Sequence, residues 1–483
     1  MASPIENMIR GAVGKGLMTL AAFNRGRMAQ PTEPHPFLTG IHQPMDRELT
    51  LQGLQVRGSI PPELDGHYLR IGPNPLKPPH PAAHHWFVGD GMVHGIRLQG
   101  GKALGYRNRW IRSRAVSAAL GEAPAPGPRR GDGDTVNTNV MGHAGRIWAL
   151  VEAGASPVEL DDELRTVAHN PFDGTLHGSF SAHPHRDPDS GELHAICYHG
   201  PEMNTVRHVV VGRDGRVRRE EPIAVQHGPG IHDCMITPRH VLVFDLPVTF
   251  SMKLLLAGHL FPYAWNEGHA ARVGLLPREG RGSDIVWCEV DPCYVFHPCN
   301  AFETHDGRVV VDVVAHDTMF AHSTRGPDSG STAFERWTID PAARRVQRRV
   351  VDPHPQEFPR PNERLLGKPY RYAYAVPLDS ADRRFLPLTH LIKHDLQAGT
   401  RELHEFGAQR YPGEFVFIPR PGAAAAAAAE DDGWLMGLVV DMAGSTTDLV
   451  ILDAARFGAE PQAVVTVPHR IPAGFHGNWV AAG

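Results

Sequence analysis

The chain has 483 residues, enough for several small domains or for one large repeating architecture. Hydrophobic residues make up 41% and charged residues 21%, the proportions of an ordinary soluble globular protein. A net charge of -5 leaves no basic footprint, so nucleic acid is not an expected partner.

Residues 1–30 are basic and weakly apolar. Ile9, Val13, Leu17 and Leu20 fall on one helical face, and Arg10, Lys15, Arg25 and Arg27 add positive charge. The apolar part is too short and broken to span a bilayer. It also lacks the apolar block and cleavage site of a signal peptide. Two readings stay open: an amphipathic helix on a membrane surface, or else a terminal helix packed on the body or a disordered tail. Cytoplasmic residence, at most peripheral to the inner membrane face, is the expectation.

Residues 31–483 read as one β domain. Short apolar runs such as His67–Ile71, Arg207–Val211, Val241–Asp245, Arg308–Val314 and Trp434–Asp441 predict strands. Tight-turn signals punctuate them, among them Gly212-Arg-Asp-Gly215 and His305-Asp-Gly307. Helical periodicity is nearly absent after residue 30, which predicts an all-β sandwich, barrel or propeller. The length favours a propeller, whose axis suits a metal held by several blades. Ala115–Gly133, rich in Ala, Pro and Gly, reads as a loop, and the alanine run Ala423–Ala429 as a tolerated insertion. Residues 249–265 are crowded with apolar side chains without alternation. They read as a cap over the propeller or as an exposed, membrane-touching patch, and both hold if the cap also forms a ligand entrance.

The five cysteines, Cys197, Cys234, Cys288, Cys293 and Cys299, contain no CxxC pair and read as free thiols in a reducing compartment. The spacing of Cys293 and Cys299 argues against a zinc knuckle.

The 30 histidines outnumber the 9 tyrosines and 8 tryptophans, and most are expected to be structural or surface residues. Four differ in setting. His183, His232, His297 and His476 are flanked by small, Pro or apolar residues. Four imidazoles from such distant points meet only on the axis of a closed repeating fold, and they are read as ligands of one metal ion. Neutral nitrogen ligands suit Fe, Zn, Cu or Ni and disfavour Mg and Ca. Ligating histidines commonly pass their second N–H to a carboxylate. Glu152, Glu357 and Glu414 sit in apolar, strand-like settings and are candidates for that role. Glu303 reads as a structural strand-end residue.

The chain resembles the carotenoid cleavage oxygenase family. The likeness runs from Asp65–Pro75 through Phe87–His94 and Tyr106–Arg109, on through the His183, His232 and His297 segments and Glu357–Pro359 with Tyr370–Tyr372, and ends at Gly474–Trp479. It covers about residues 45 to 480, in family order. The resemblance implies a seven-bladed β-propeller with a helical and loop cap over the metal face. It implies a non-haem Fe(2+) held by His183, His232, His297 and His476, with Glu152, Glu357 and Glu414 orienting three of them. The implied reaction is O2-dependent cleavage of a conjugated double bond into two carbonyl products, with no organic cofactor. Relatives that cleave phenolic stilbenes typically carry a Lys before the first outer glutamate, where this chain has Val151. A carotenoid or apocarotenoid is therefore expected ahead of a stilbene, which stays open because Tyr106 could still serve a phenol. The family also contains a retinoid isomerase. A zinc hydrolase is disfavoured by the fourth histidine, and a non-catalytic binding propeller has no need of this constellation. Nothing in the sequence sets the oligomeric state.

Overall fold

The computed structural model describes the chain except residues 1–3, 78–79, 130–132, 201, 380, 382–384, 423–428 and 483, and the side chains of 4–13 also lie outside the description. All but the last alanine of the run Ala423–Ala429 thus falls outside the described residues.

Strands dominate. Among the described residues they assemble into six sheets of four or more strands and one two-stranded ribbon, in a propeller-like ring. Seven separate sheets of four or more strands do not form among the described residues, because two four-stranded antiparallel runs share one hydrogen-bonded sheet of eight. The join is a single parallel bridge, Glu289 to Arg345.

The local chemistry of the strands is plain. Val309–His316 is buried along its whole length, as a strand packed on both faces requires. Each of its valines contributes about 1.5–3 kcal/mol on burial. The turns fall where Asp-Gly pairs stand: Gly215 and Gly307 have φ of 78° and 84°, which glycine adopts without steric cost. Trp110, Trp148, Trp337 and Trp434 are among the largest fully buried side chains.

Both chain ends close the ring. The C-terminal strand Gly477–Ala481 pairs antiparallel with Gly66–Pro73, and Gln55–Gly58 pairs with Ala463–Val467. His476 immediately precedes that closing strand, so ring closure itself carries the last histidine to the centre.

Helix α1 spans Pro4–Arg25, one of the forms left open for the N-terminus. The segment Ala115–Gly133 is not all loop. Arg114–Leu120 forms a helix, α2, with Ser113 accepting from Val116 N at its start and Gly121 in the left-handed region at its end. Those two caps outweigh a composition that reads as irregular. The apolar segment 249–265 contains a third helix, α3 (Met252–Ala257), inside the ribbon Val248–Phe250 with Tyr263–Trp265. Helix α1 docks on it: Asn24 Nδ2 donates to Leu256 O at 2.6 Å and Arg25 Nε to Gly258 O at 2.8 Å. Among the described residues no helix is long and apolar enough to cross a membrane. All five cysteines are free and buried.

Candidate metal centre

The strands Tyr294–Glu303, Gln356–Arg360 and Arg410–Pro419 stand at the edges of their sheets, and each breaks register where a candidate residue stands. Pairing of Tyr294–Glu303 shifts between Val295 and Asn300, around His297. Pairing of Gln356–Arg360 shifts after Glu357, and that of Arg410–Pro419 shifts between Pro412 and Phe415, around Glu414. Such bulges re-aim side chains out of the regular pleat. Phe358, next to Glu357, takes a φ of 55°, a strained position for an aromatic residue.

All four histidines converge. One ring nitrogen from each of His183, His232, His297 and His476 lies within 4.8 Å of the others. Ring centroids of His183 stand 4.3, 5.2 and 4.5 Å from those of His232, His297 and His476.

Three carboxylates back them. His232 Nδ1 lies 2.9 Å from Glu152 Oε2, His297 Nδ1 2.6 Å from Glu357 Oε2, and His476 Nδ1 3.1 Å from Glu414 Oε1. Ionised carboxylates only accept, so each Nδ1 carries the proton and donates it. Glu357 also accepts from Phe358 N, and Glu414 from Gly477 N, both at 2.9 Å. Burial favours the protonated acid of Glu414, but Arg360 and His476 outweigh it and hold the group at about 2. Glu357 is likewise held low: His297 and His316 overcome its burial. Burial first, and then the neighbouring imidazoles, push His183 far below its ordinary value. Burial also lowers His476, to about 4, against the pull of Glu414. His232 is raised, because Glu152 more than offsets its burial.

The donor set fits a cation. With Nδ1 donating, a neutral ring points a bare lone pair from Nε2. His232 Nε2 and His297 Nε2 lie 3.2 Å apart, and His183 Nε2 is buried without a partner. Converging lone pairs repel unless a cation, or a proton, sits among them. Four imidazoles in one pocket suit a borderline transition metal.

Two cavities meet at this cluster, with His297, Phe358 and His476 as common wall. The larger encloses about 430 Å³ and is mainly apolar, lined by Phe87, Val151, Phe261, Phe296 and Phe475. Its volume lies in the range of small-molecule sites. Tyr198 and Tyr263 also reach it. The smaller, of about 150 Å³, is polar, with His185, Asp233 and Arg360 on its walls.

Tyr106 does not reach the apolar cavity. It lies in the interior of the N-terminal sheet with its hydroxyl 2.8 Å from His94 Nδ1, so it offers nothing to a phenol bound beside the histidines. Glu303 is the strand-end brace expected of it, accepting from Thr237 Oγ1 at 2.6 Å and contacting Arg239 and His240. His316, Arg360, Asp233 and Phe358 escaped the sequence reading. His316 alone left a signal, as the polar end of the run Val309–His316, which is apolar except for Asp312.

Fold and site together define a propeller-like all-β protein with a metal-compatible cluster of four histidines, three of which line an apolar chamber. Residues 42–481 match the family described as retinal pigment epithelial membrane protein. The chain belongs to that family, the carotenoid cleavage oxygenases. It is 42% identical over 497 residues to the carotenoid cleavage oxygenase of Mycobacterium tuberculosis, covering 92% of this chain and 97% of the relative. It is 30% identical over 485 residues to the apocarotenoid-15,15'-oxygenase of Synechocystis, with 92% and 96% covered. Among solved structures, a variant of the Synechocystis apocarotenoid oxygenase matches with TM-score 0.80 at 28% identity, covering 92% of this chain and 98% of that one. The lignostilbene dioxygenase of Pseudomonas brassicacearum matches with TM-score 0.83 at 25% identity, covering 94% and 100%.

Proposed function

We propose that this protein is a non-haem iron(II) dioxygenase that cleaves one conjugated C=C bond of a carotenoid or apocarotenoid with O2. The observation that carries the reading is the four-imidazole cluster, three of whose rings, His232, His297 and His476, line a largely apolar chamber of about 430 Å³. The names of the relatives support the same chemistry.

His183, His232, His297 and His476 would hold the iron, and Glu152, Glu357 and Glu414 would orient three of the rings. Bound iron(II) supplies the redox chemistry that lets O2 react with an alkene. The electrons come from the broken double bond, and both oxygen atoms end in two carbonyl products, so no reductant is consumed. The chain itself holds the alkene beside the cluster and excludes water, through Phe87, Phe296 and Phe475. No side chain is required as a general base.

Val151 favours a polyene, since the lining residue ahead of Glu152 carries no charge for a phenolate. The similarity to a lignostilbene dioxygenase keeps phenolic alkenes as the second reading, with Tyr198 and Tyr263 as the hydroxyls in reach. The eight-stranded sheet divides at its single parallel bridge into two four-stranded units, which supports a count of seven blades. Exposed Met18, Leu20, Phe23, Met252 and Leu260, on or beside the docked helices α1 and α3, support peripheral contact with a membrane from which an apolar substrate enters. Cytoplasmic residence with that contact is part of the proposal.

The test is turnover by Fe(II)-loaded protein under ¹⁸O2 with carotenoids, apocarotenals and hydroxystilbenes, read by mass spectrometry. Doubly labelled aldehyde pairs from a polyene are expected, and they vanish in His297→Ala. Labelled benzaldehydes instead would transfer the assignment to stilbenes. Label-free product of altered double-bond geometry would point to isomerisation, and no product at all to a binding role.

A further inference from the structure

Three of the four histidines each face a glutamate, and the fourth has none. His183 is buried like the others, and its Nε2 is left without a hydrogen-bond partner. Its Nδ1 does face a carboxylate: Asp233 Oδ2 lies 3.7 Å away. Asp233 is only 5% exposed and follows His232 directly in the chain, so the same backbone step carries one imidazole and the carboxylate that faces another.

Asp233 is itself held firmly. Its Oδ1 accepts from His185 Nε2 at 2.7 Å and from Cys234 N at 2.6 Å. Those two bonds fix the carboxylate plane and leave Oδ2 turned towards His183. His185 belongs to the short strand that follows His183, whereas Asp233 leads into the strand Cys234–Ile236 of another sheet. The carboxylate therefore ties two sheets together at the axis. Pro184 stands between the two histidines and holds the backbone φ near its fixed value, which limits how far His183 and His185 can move relative to each other.

His185, Asp233 and Cys234 also come close enough to be a metal group of their own. The geometry disfavours that use. One carboxylate oxygen is already bonded to the ring nitrogen nearest it, and the Cys234 thiol is fully buried against the carbonyl of His194.

We infer that Asp233, clamped by His185, is the positioning carboxylate for His183, and that the site is built from four imidazole–carboxylate pairs instead of three. The inference rests on the proposed metal-binding role of the four histidines. At 3.7 Å the pairing acts through charge and not through a short hydrogen bond: the negative Oδ2 favours the tautomer with the proton on Nδ1 and leaves Nε2 free for the ion. Asp233 touches neither substrate nor metal in this arrangement. It works through His183.

The test uses full-length protein loaded with Co(II), whose visible bands report ligand geometry, followed by challenge with excess EDTA. Asp233→Asn keeps shape and removes charge. It is expected to release Co(II) about tenfold faster than the parent protein and to shift the Co(II) absorption bands. His185→Phe leaves Asp233 in place but frees it to turn, and a smaller acceleration in the same direction is expected. Should Asp233→Asn not fold, His185→Phe decides alone. Parent-like release rates and bands in the folded variants overturn the inference while leaving the metal site intact. Failure of the parent protein to take up one Co(II) overturns instead the metal reading beneath it.

Discussion

His316 Nε2 lies 2.6 Å from Glu357 Oε1, on the carboxylate whose other oxygen receives His297 Nδ1 at 2.6 Å. Thr332 Oγ1, at 3.0 Å from His316 Nδ1, completes the chain, so the orientation of a candidate metal ligand is set three side chains away. His316→Phe keeps a ring in that space and leaves one buried oxygen of Glu357 unpaired. The expected costs are about 1–3 kcal/mol of stability and a several-fold faster loss of bound metal. Urea unfolding and chelator-release rates measure them, and parent-like values for both would mean that Glu357 needs only His297 and the Phe358 amide.

Glu414 is fixed more loosely. Its contact to His476 Nδ1 is 3.1 Å, and Arg360 stands 3.5 Å from the same oxygen. Glu414→Gln preserves the size of the side chain and removes the charge that orients His476. Metal retention or turnover is expected to fall roughly 10–100-fold, read by metal content after dialysis and by initial rates. Unchanged values would remove Glu414 from the site.

Val151 lines the apolar chamber beside Glu152. Val151→Lys puts an ammonium group there. Desolvating it without a partner costs several kcal/mol, so it will draw towards Glu152 or towards a phenolic ligand. Turnover of an unsubstituted polyene is expected to drop at least about tenfold, a loss of about 1.4 kcal/mol or more in transition-state binding. Activity on a hydroxystilbene falls less or rises. The ratio of kcat/KM for the two substrates is the measurement, and an unmoved ratio sinks the role given to this position.

Several buried histidines away from the cluster are kept neutral. Burial, aided by His35, lowers His84 to about 3. Burial and then Arg278 lower His194 to about 4. Burial lowers His394 to about 4 against the opposing charge of Asp352. An unfolded chain protonates these rings near their ordinary value of about 6.5. Their folded forms resist protonation, so stability is fully present above about pH 6.5 and falls as pH drops from there towards about 4. Each ring contributes a slope of up to about 1.4 kcal/mol per pH unit in that window. Urea midpoints of metal-free protein at pH 7.5 and 5.0 check this, and a flat profile would mean that the folded state accepts these protons.

The sequence by itself carried the β pattern, the turn positions, and the four histidines and three glutamates that the structure gathers in one place. These were legible because strands, Asp-Gly turns and buried polar residues in apolar runs leave local marks. The helix Arg114–Leu120 was not legible, because two capping interactions stabilised a stretch whose composition reads as loop. Nor was the merging of two units into one sheet, which hangs on a single bridge between Glu289 and Arg345. Tyr106 was misjudged for a related reason: sequence order reveals neither which face of a strand meets the axis nor which sheet interior takes up a hydroxyl. Tertiary structure alone brought His316 to Glu357, Arg360 to Glu414 and Asp233 towards His183. The residues of the first two pairs stand 41 and 54 positions apart, and only ring closure and bulged inner strands bring such partners within reach.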